Sequence, residues 1–272
     1  MFNDDHFPRL EDYITSKLGL RVIDTNKRQV KRFLTEKLTV LNKEIADYIR
    51  IIDTNEIELH ELINILTINE TYFFREQKHY NLLKSVIFPE YIQLNKLLPP
   101  VIWSAASSIG AEPLSIALLT LKEWKYIPDN YFVYASDIDK VALSNIQKNN
   151  YPKTLLREDG KQFHDLVQKY TDNSGSIVFE DKIISMIKPF PFNLLKTPYP
   201  SLSFQPDIVF LCNVLTYMDY EKKDYVIDNI VKAMTMEGFL ILSSSDTAFV
   251  NHPDLKLMEH EGSFYFKKVN NG

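Results

Sequence analysis

Apolar positions in the first third of the chain recur at three- and four-residue steps, whereas later they gather into short runs. From Asn26 onward, Val30, Phe33, Leu34, Leu38, Leu41, Ile45 and Tyr48 keep the first spacing, which predicts a helix with one buried face. Roughly Phe7 to Leu18 and Glu56 to Leu66 repeat the pattern, so the chain opens on a small all-helical unit with no strand signal before Pro99.

After Pro99-Pro100 short apolar runs alternate with helical stretches, the pattern of βα units. Val101 to Ala105 predicts a strand, followed by a helix through Pro113 to Trp124. Tyr131 to Ser136 predicts a second, ending in Asp137-Ile138-Asp139 before a helix through Val141 to Lys148. Asp207 to Leu211 and Phe239 to Ser243 add two more strands, separated by a helix of about Glu221 to Met234. These units predict a doubly wound α/β sheet whose ligand sits at the carboxyl ends of its strands. Between Tyr170 and Leu195 the helical period disappears, and Asn173-Ser174-Gly175 separates β-rich runs. A small antiparallel insertion is expected there.

Composition narrows the class. The 272 residues are 45% hydrophobic and 25% charged, as in a globular protein with a real core. No apolar run approaches a membrane span, and the start lacks the basic and apolar regions of a signal peptide, which points to the cytoplasm. A single cysteine and the absence of HxxxH pairing make structural zinc and disulfides unexpected. The seven glycines form neither GxGxxG nor a P-loop. Lys17 to Glu44 carries eight basic residues against three acidic ones, a local balance of +5 in a chain of net charge -5. Lys27, Arg28, Lys31 and Arg32 fall on one helix face opposite the apolar one, making a positive stripe. The overall pI of 5.7 argues against a nucleic-acid surface.

Four segments are candidates for chemistry. Trp103 to Pro113 runs from a strand through small residues into a helix, where a ligand can approach the backbone and unpaired N–H groups. Asp137 follows the second strand, where an acid can accept hydrogen bonds from ribose hydroxyls. Asp139 reads better as the cap of the next helix. Asn69-Glu70-Thr71-Tyr72-Phe73-Phe74-Arg75 mixes amide, aromatics and a cation at the junction of the two units, and Cys212-Asn213-Val214-Leu215-Thr216-Tyr217 follows the third strand. Each has a structural alternative: a plain βα turn, an aromatic hinge with Arg75 in an ion pair, a core position for Tyr217, a buried small hydrophobe in Cys212.

Taken in order, Asn-x-Thr-x-Phe-Phe-Arg, Trp-Ser-Ala-Ala-x-Ser-x-Gly-x-Glu-Pro-x-Ser, Ser-Asp-Ile-Asp, Phe-Asn-Leu-Leu and Asn-Val-Leu-x-Tyr resemble the CheR family of chemotaxis receptor methyltransferases across essentially the whole chain. The resemblance implies an all-α N-terminal domain, residues 1–85, and a doubly wound S-adenosylmethionine-binding methyltransferase domain, residues 86–272, with a three-stranded antiparallel subdomain at about 170–190. It implies a cofactor pocket of Asn69, Thr71, Arg75, Glu112, Asp137, Asn193 and Leu194, closed by backbone around Cys212 and Asn213. Arg75 and Tyr217 match the family positions beside the transferred methyl group, and both are expected to be catalytic. The implied reaction is methylation of glutamates on the cytoplasmic helical bundle of a chemoreceptor, with Lys27, Arg28, Lys31 and Arg32 as the docking stripe. Gly175, the single glycine of the insertion, argues against tethering of a receptor peptide there. The chain departs from the family at Ser108-Ile109-Gly110-Ala111-Glu112, where Ser-Thr-Gly-Glu-Glu is usual, at Cys212, where arginine is usual, and at Ser243-Ser244-Ser245-Asp246, where Gly-His-Ser-Glu is usual. Those departures motivate a second reading, a non-catalytic adaptor that binds S-adenosylmethionine.

Overall fold

A computed structural model describes residues 7–67, 70–93, 98–197, 199 and 203–270; Asn69, one of the expected pocket residues, lies outside them. Helix α1 (Phe7–Tyr13) runs into a π-helical turn (Ile14–Leu18) and is followed by α2 (Asp24–Leu41), α3 (Ile45–Thr54) and α4 (Glu56–Leu66). Their apolar faces meet in one core around Leu10, Val30, Leu34, Tyr48 and Leu62, all fully buried. The single helix expected from Asn26 to Tyr48 is two helices. Asn42 adopts φ 49° and donates its N–H to Leu38 and Thr39, ending α2 three residues before α3 begins. Asparagine tolerates that left-handed conformation, so the apolar spacing continues across a break that spacing alone does not show.

Short helices α5 (Gln77–Leu82) and α6 (Phe88–Gln93) lead into the sheet. Its strands are β1 (Ile102–Ala105), β2 (Val133–Asp137), β5 (Ile187–Pro191), β6 (Ile208–Leu211), β7 (Phe239–Leu242), β8 (Leu255–His260) and β9 (Ser263–Lys268), in the order β5-β2-β1-β6-β7-β9-β8. The first five are parallel, and β8 and β9 form an antiparallel hairpin at one edge. Helices α7 (Ala111–Glu123), α8 (Lys140–Lys148) and α11 (Tyr220–Ala233) connect the strands. Alternate residues of each strand face opposite layers. Ile102, Phe210 and Ile241 pack with α7, while Trp103, Val209, Leu211 and Leu240 pack with α11. Chain order reverses on either side of β1, where a doubly wound sheet opens a crevice at its carboxyl edge.

The insertion differs from expectation. The antiparallel sheet has two strands, β3 (Tyr151–Pro152) and β4 (Ser176–Ile177), with α9 (His164–Gln168) between them. Ile183 and Ile184 lie in helix α10 (Asp181–Ser185), which buries Ile183, and β5 joins the main sheet beside β2. Proline suits this position, because Pro189 and Pro191 lie on an edge strand that needs no full ladder. The C-terminal hairpin went unforeseen, although Glu261-Gly262, both at positive φ, is a turn dipeptide between alternating runs. A short polar helix, α12 (Ser244–Thr247), follows β7 after Ser243.

Candidate active site

The loop after β1 is built to bring backbone close to a ligand. Ala106, Ser108 and Gly110 all take positive φ, and the N–H groups of Ala106 and Ser107 donate to the Ser136 carbonyl at 2.9 and 2.8 Å. A side chain at Gly110 would place its Cβ 2.3 Å from Ile146 of α8, so only glycine lets the start of α7 pack there. Asp137 closes β2 beside this loop. Its Oδ2 accepts from the Ser108 N–H at 2.8 Å and its Oδ1 from the Asp139 N–H at 2.9 Å. Burial pushes the carboxyl up to about 6, with those backbone donors pulling the other way. Asp139 caps α8 through Val141 and Ala142, as its sequence position suggested. Its second oxygen accepts from Asn64 and Thr67, each at 3.1 Å, which ties α4 to the sheet.

Below the loop lies an acidic floor. Glu112, in the first turn of α7, accepts from the Ser104 hydroxyl at 2.7 Å. Burial raises its carboxyl to about 7, the Ser104 bond opposing. Glu76 accepts from the Ser244 N–H and hydroxyl at 3.1 and 2.9 Å, and from Asn213 at 3.4 Å. His79 is buried, and burial holds its imidazole down at about 4, hence neutral. Its Nδ1 lies 3.9 Å from the Cys212 sulfur. Burial and then the Glu112 charge push the Cys212 thiol well above its usual range, so it is neither a nucleophile nor a thiolate.

Arg75 lies on the opposite side. Its guanidinium donates to the Glu70 carbonyl and stands 5.6 Å from the Tyr72 ring centre. Tyr217 ends a 3₁₀ turn, Leu215–Tyr217. Burial raises its hydroxyl and the charge of Arg75 partly opposes this, which leaves a neutral phenol able to donate. Packed against that turn, Asp246 of α12 is fully buried with neither carboxyl oxygen hydrogen-bonded among the described residues, and burial raises its carboxyl, opposed by Ser243 and the nearby backbone of residues 214–216. Asn193 accepts from the Leu195 N–H at 2.9 Å, turning the Phe-Asn-Leu-Leu segment so that Leu194 is buried.

One cavity of about 1210 Å³, counted to its open mouth, gathers these groups. Thr71, Arg75, Glu112, Asp137, Asn193 and Leu194 line it, together with Cys212, Asn213 and Tyr217. The four residues of the basic stripe do not. Lys27 and Lys31 stand over the Phe7 ring, Lys27 also 3.9 Å from Glu11, and Arg32 pairs with Glu36 at 2.9 Å. Sequence reasoning missed Glu76 and His79, one and four residues beyond the Arg75 motif, and the wall made by Leu18, Leu20, Arg21 and Leu66 of the helical unit. Buried Leu66 ends α4 and buried Leu20 lies in the connection before α2, where the apolar period gives no hint of a second role.

The lining is divided by chemistry. Leu20, Leu66, Ile138 and Leu194 offer an apolar slot beside Asp137, Glu76 and Glu112 present negative charge beyond it, and Arg75 offers a cation. A nucleoside carrying a cationic amino-acid chain fits this sequence of surfaces, as S-adenosylmethionine does. Fold and site together define an S-adenosylmethionine-dependent methyltransferase. The family model for the CheR methyltransferase S-adenosylmethionine-binding domain matches residues 69–263, and the chain belongs to that family. It is 28% identical over 253 residues to a chemotaxis protein methyltransferase of Borreliella burgdorferi, covering 89% of this chain and 88% of that one. It is 27% identical to the chemotaxis protein methyltransferase of Escherichia coli, over 90% of this chain and 85% of that one. With chemotaxis protein methyltransferase 2 of Pseudomonas aeruginosa the identity is 26%, over 90% and 87%.

Proposed function

We propose that this protein transfers methyl groups from S-adenosylmethionine to glutamate side chains on the cytoplasmic helical bundle of a chemoreceptor. The observation that carries this reading is the single cavity in which Asp137 and Glu112 open toward Arg75 and Tyr217. Relatives along nine-tenths of the chain are chemotaxis methyltransferases, which supports the substrate class. When bound, the cofactor supplies a methyl carbon on a cationic sulfur; the glutamate oxygen bonds to that carbon as the carbon–sulfur bond breaks and its electron pair stays on sulfur.

Asp137 holds the ribose hydroxyls, Glu112 faces the ammonium end, and Thr71, Asn193 and Leu194 enclose the nucleoside, with backbone at Cys212 and Asn213 closing the pocket. A substrate glutamate, with an ordinary pKa near ~4.3, is already ionised and needs no general base. That agrees with a site whose buried histidine stays neutral at about 4 and has no proton to give or take near pH 7. Arg75 and the Tyr217 hydroxyl orient the incoming carboxylate. The Arg28 side of α2, with Lys27, Lys31 and Arg32, faces an acidic partner. The chain is divided into residues 1–85 and 86–272, with Phe73 and Tyr80 of the first part packing into the core of the sheet. The cytoplasm is the assigned compartment, and among the described residues no helix is long and apolar enough to cross a membrane.

The adaptor reading is not favoured, because the departures at Ala111, Cys212 and Ser243–Asp246 leave the cavity lined and Asp246 buried under the Tyr217 turn. Incubation with radiolabelled S-adenosylmethionine and receptor cytoplasmic fragments tests the reading. Base-labile label on the receptor is expected, and no label on any receptor would sink it.

A further inference from the structure

Of the eight basic residues between Lys17 and Glu44, Arg21 alone reaches the cofactor cavity. It does not belong to the stripe on α2, lying instead in the connection before that helix. The turn that delivers it is built for the purpose. Gly19 takes φ 73°, and a Cβ there would lie 2.5 Å from Leu195 Cδ1, so the helical unit can approach the Phe-Asn-Leu-Leu segment only through glycine. Leu18 and Leu20 on either side are buried and line the same cavity.

The charge balance of the cavity gives Arg21 its importance. Among the described lining residues, Glu70, Glu76, Glu112 and Asp137 are acidic, and only Arg21 and Arg75 are cationic. An acidic floor suits a cationic cofactor and repels an anionic protein segment. Arg75 is engaged at its own turn, with the Glu70 carbonyl and the Tyr72 ring. The Arg21 side chain is 51% exposed and its Nε is 3.5 Å from Asp219 Oδ1, two residues beyond Tyr217. Asp219 is shared with Lys222 at 3.6 Å, so it keeps a cation when Arg21 turns away. A half-exposed ion pair of this kind contributes little and exchanges readily for a carboxylate presented in a fork geometry.

We infer that Arg21 is a specificity-determining residue: it binds a second carboxylate on the protein substrate, beside the glutamate that enters between Arg75 and Tyr217. The inference rests on the proposed methylation of acidic helical segments and names what, on such a segment, the helical unit reads. Arg21 thereby makes the N-terminal unit part of the site.

Two helical peptides test this, one with a glutamate beside the target glutamate and one with glutamine in its place. Each is measured for KM and kcat and, with S-adenosylhomocysteine present, for binding by fluorescence anisotropy. The parent is expected to favour the diacidic peptide by about tenfold, the size of one charged hydrogen-bonded pair. Arg21→Ala should raise KM for that peptide to the level of the glutamine peptide, with kcat falling by less, and Arg21→Glu should reverse the preference. Cofactor affinity in calorimetry, held within about twofold, shows that the variants are folded. Unaltered discrimination in Arg21→Ala overturns the inference, and so does a fall in cofactor affinity at constant KM, which would assign Arg21 to the cofactor's own carboxylate. If the parent methylates neither peptide the functional reading fails, and the anisotropy ratio still decides the role of Arg21.

Discussion

On the sheet side of the cavity each functional carboxylate is anchored by neighbours within the same layer. Asp137 is clasped by two backbone N–H groups, Glu112 by the Ser104 hydroxyl, Glu76 by Ser244. On the helical side Arg21 is half-exposed and held by a surface pair with Asp219, and outside the cavity the exposed Arg32 pairs with Glu36. Buried, hydrogen-bonded charge is preorganised and costs little to reuse for a ligand that arrives in a defined pose. Exposed charge is mobile and screened, so it acts on encounter and on choice of partner. The proposed roles follow that contrast, cofactor binding resting on the buried carboxylates and choice of protein substrate on the exposed cations, and four experiments bear on it.

The largest effect is expected at Asp137. Asp137→Ala removes the ribose acceptor and leaves the Ser108 and Asp139 amides without their partner, and calorimetry should show cofactor affinity reduced by ~1.5 to 3 kcal/mol, about 10- to 150-fold. Unchanged affinity would erase the contrast between the walls. At the boundary between them, Tyr217→Phe is expected to lower turnover roughly tenfold through loss of one donor, with Arg75→Ala at least as severe. Cofactor affinity should change much less than turnover in both. Parental turnover in the two variants would remove their assignment.

Acidification separates the walls in another way. The Asp137 and Glu112 carboxyls sit at about 6 and about 7, and a cationic, hydroxyl-bearing cofactor favours their ionised forms. Protons must leave on binding below those values, so affinity should fall between pH 8 and pH 5, by at most about tenfold per pH unit for each proton. Stability of the ligand-free protein moves oppositely. Both carboxyls hold protons more tightly folded than unfolded, where they titrate near ~4, so their contribution is favourable at low pH and is lost as pH rises from there through about 6 and about 7. Glu112→Gln should flatten the upper part of both profiles; a profile identical to the parent's would show that Glu112 does not titrate on binding.

The smallest effect is expected from the docking stripe. Arg28→Glu with Arg32→Glu should slow receptor methylation a few-fold in low salt and flatten its salt dependence, because the Debye length is only ~8 Å at physiological ionic strength and Glu36 already neutralises part of Arg32. Stopped-time assays across salt concentration check this, and a parental rate in low salt would return the stripe to ordinary solvated surface.

Much of the cofactor wall was legible beforehand. Asp137 follows a recognisable strand, Glu112 opens a recognisable helix, and the small residues of 104–110 announce a close backbone approach, all within short stretches of chain. The adaptor alternative arose from the same local view, since a substituted residue such as Cys212 looks like a lost function until its neighbours are known. In the fold it is a thiol wedged between Glu112 and His79. The break at Asn42 and the helix at Asp181–Ser185 escaped because apolar spacing runs on through a single left-handed residue, and because five residues are too few to display a period.

Sequence by itself determined the helical opening, the four alternating strands of a doubly wound sheet and the acid at the end of its second strand, because hydrophobic period, strand alternation and turn residues are properties of neighbours along the chain. Only the tertiary structure decided that Asp139 would bind Asn64 and Thr67 across the two units, that Glu76 and Glu112 would share one floor, and that Gly19 would carry Arg21 to the mouth of the cavity. Those outcomes depend on which buried surfaces meet, and on burial that moves a carboxyl to about 7 and an imidazole to about 4. Desolvation belongs to the packed environment, and no spacing of residues along the chain records it.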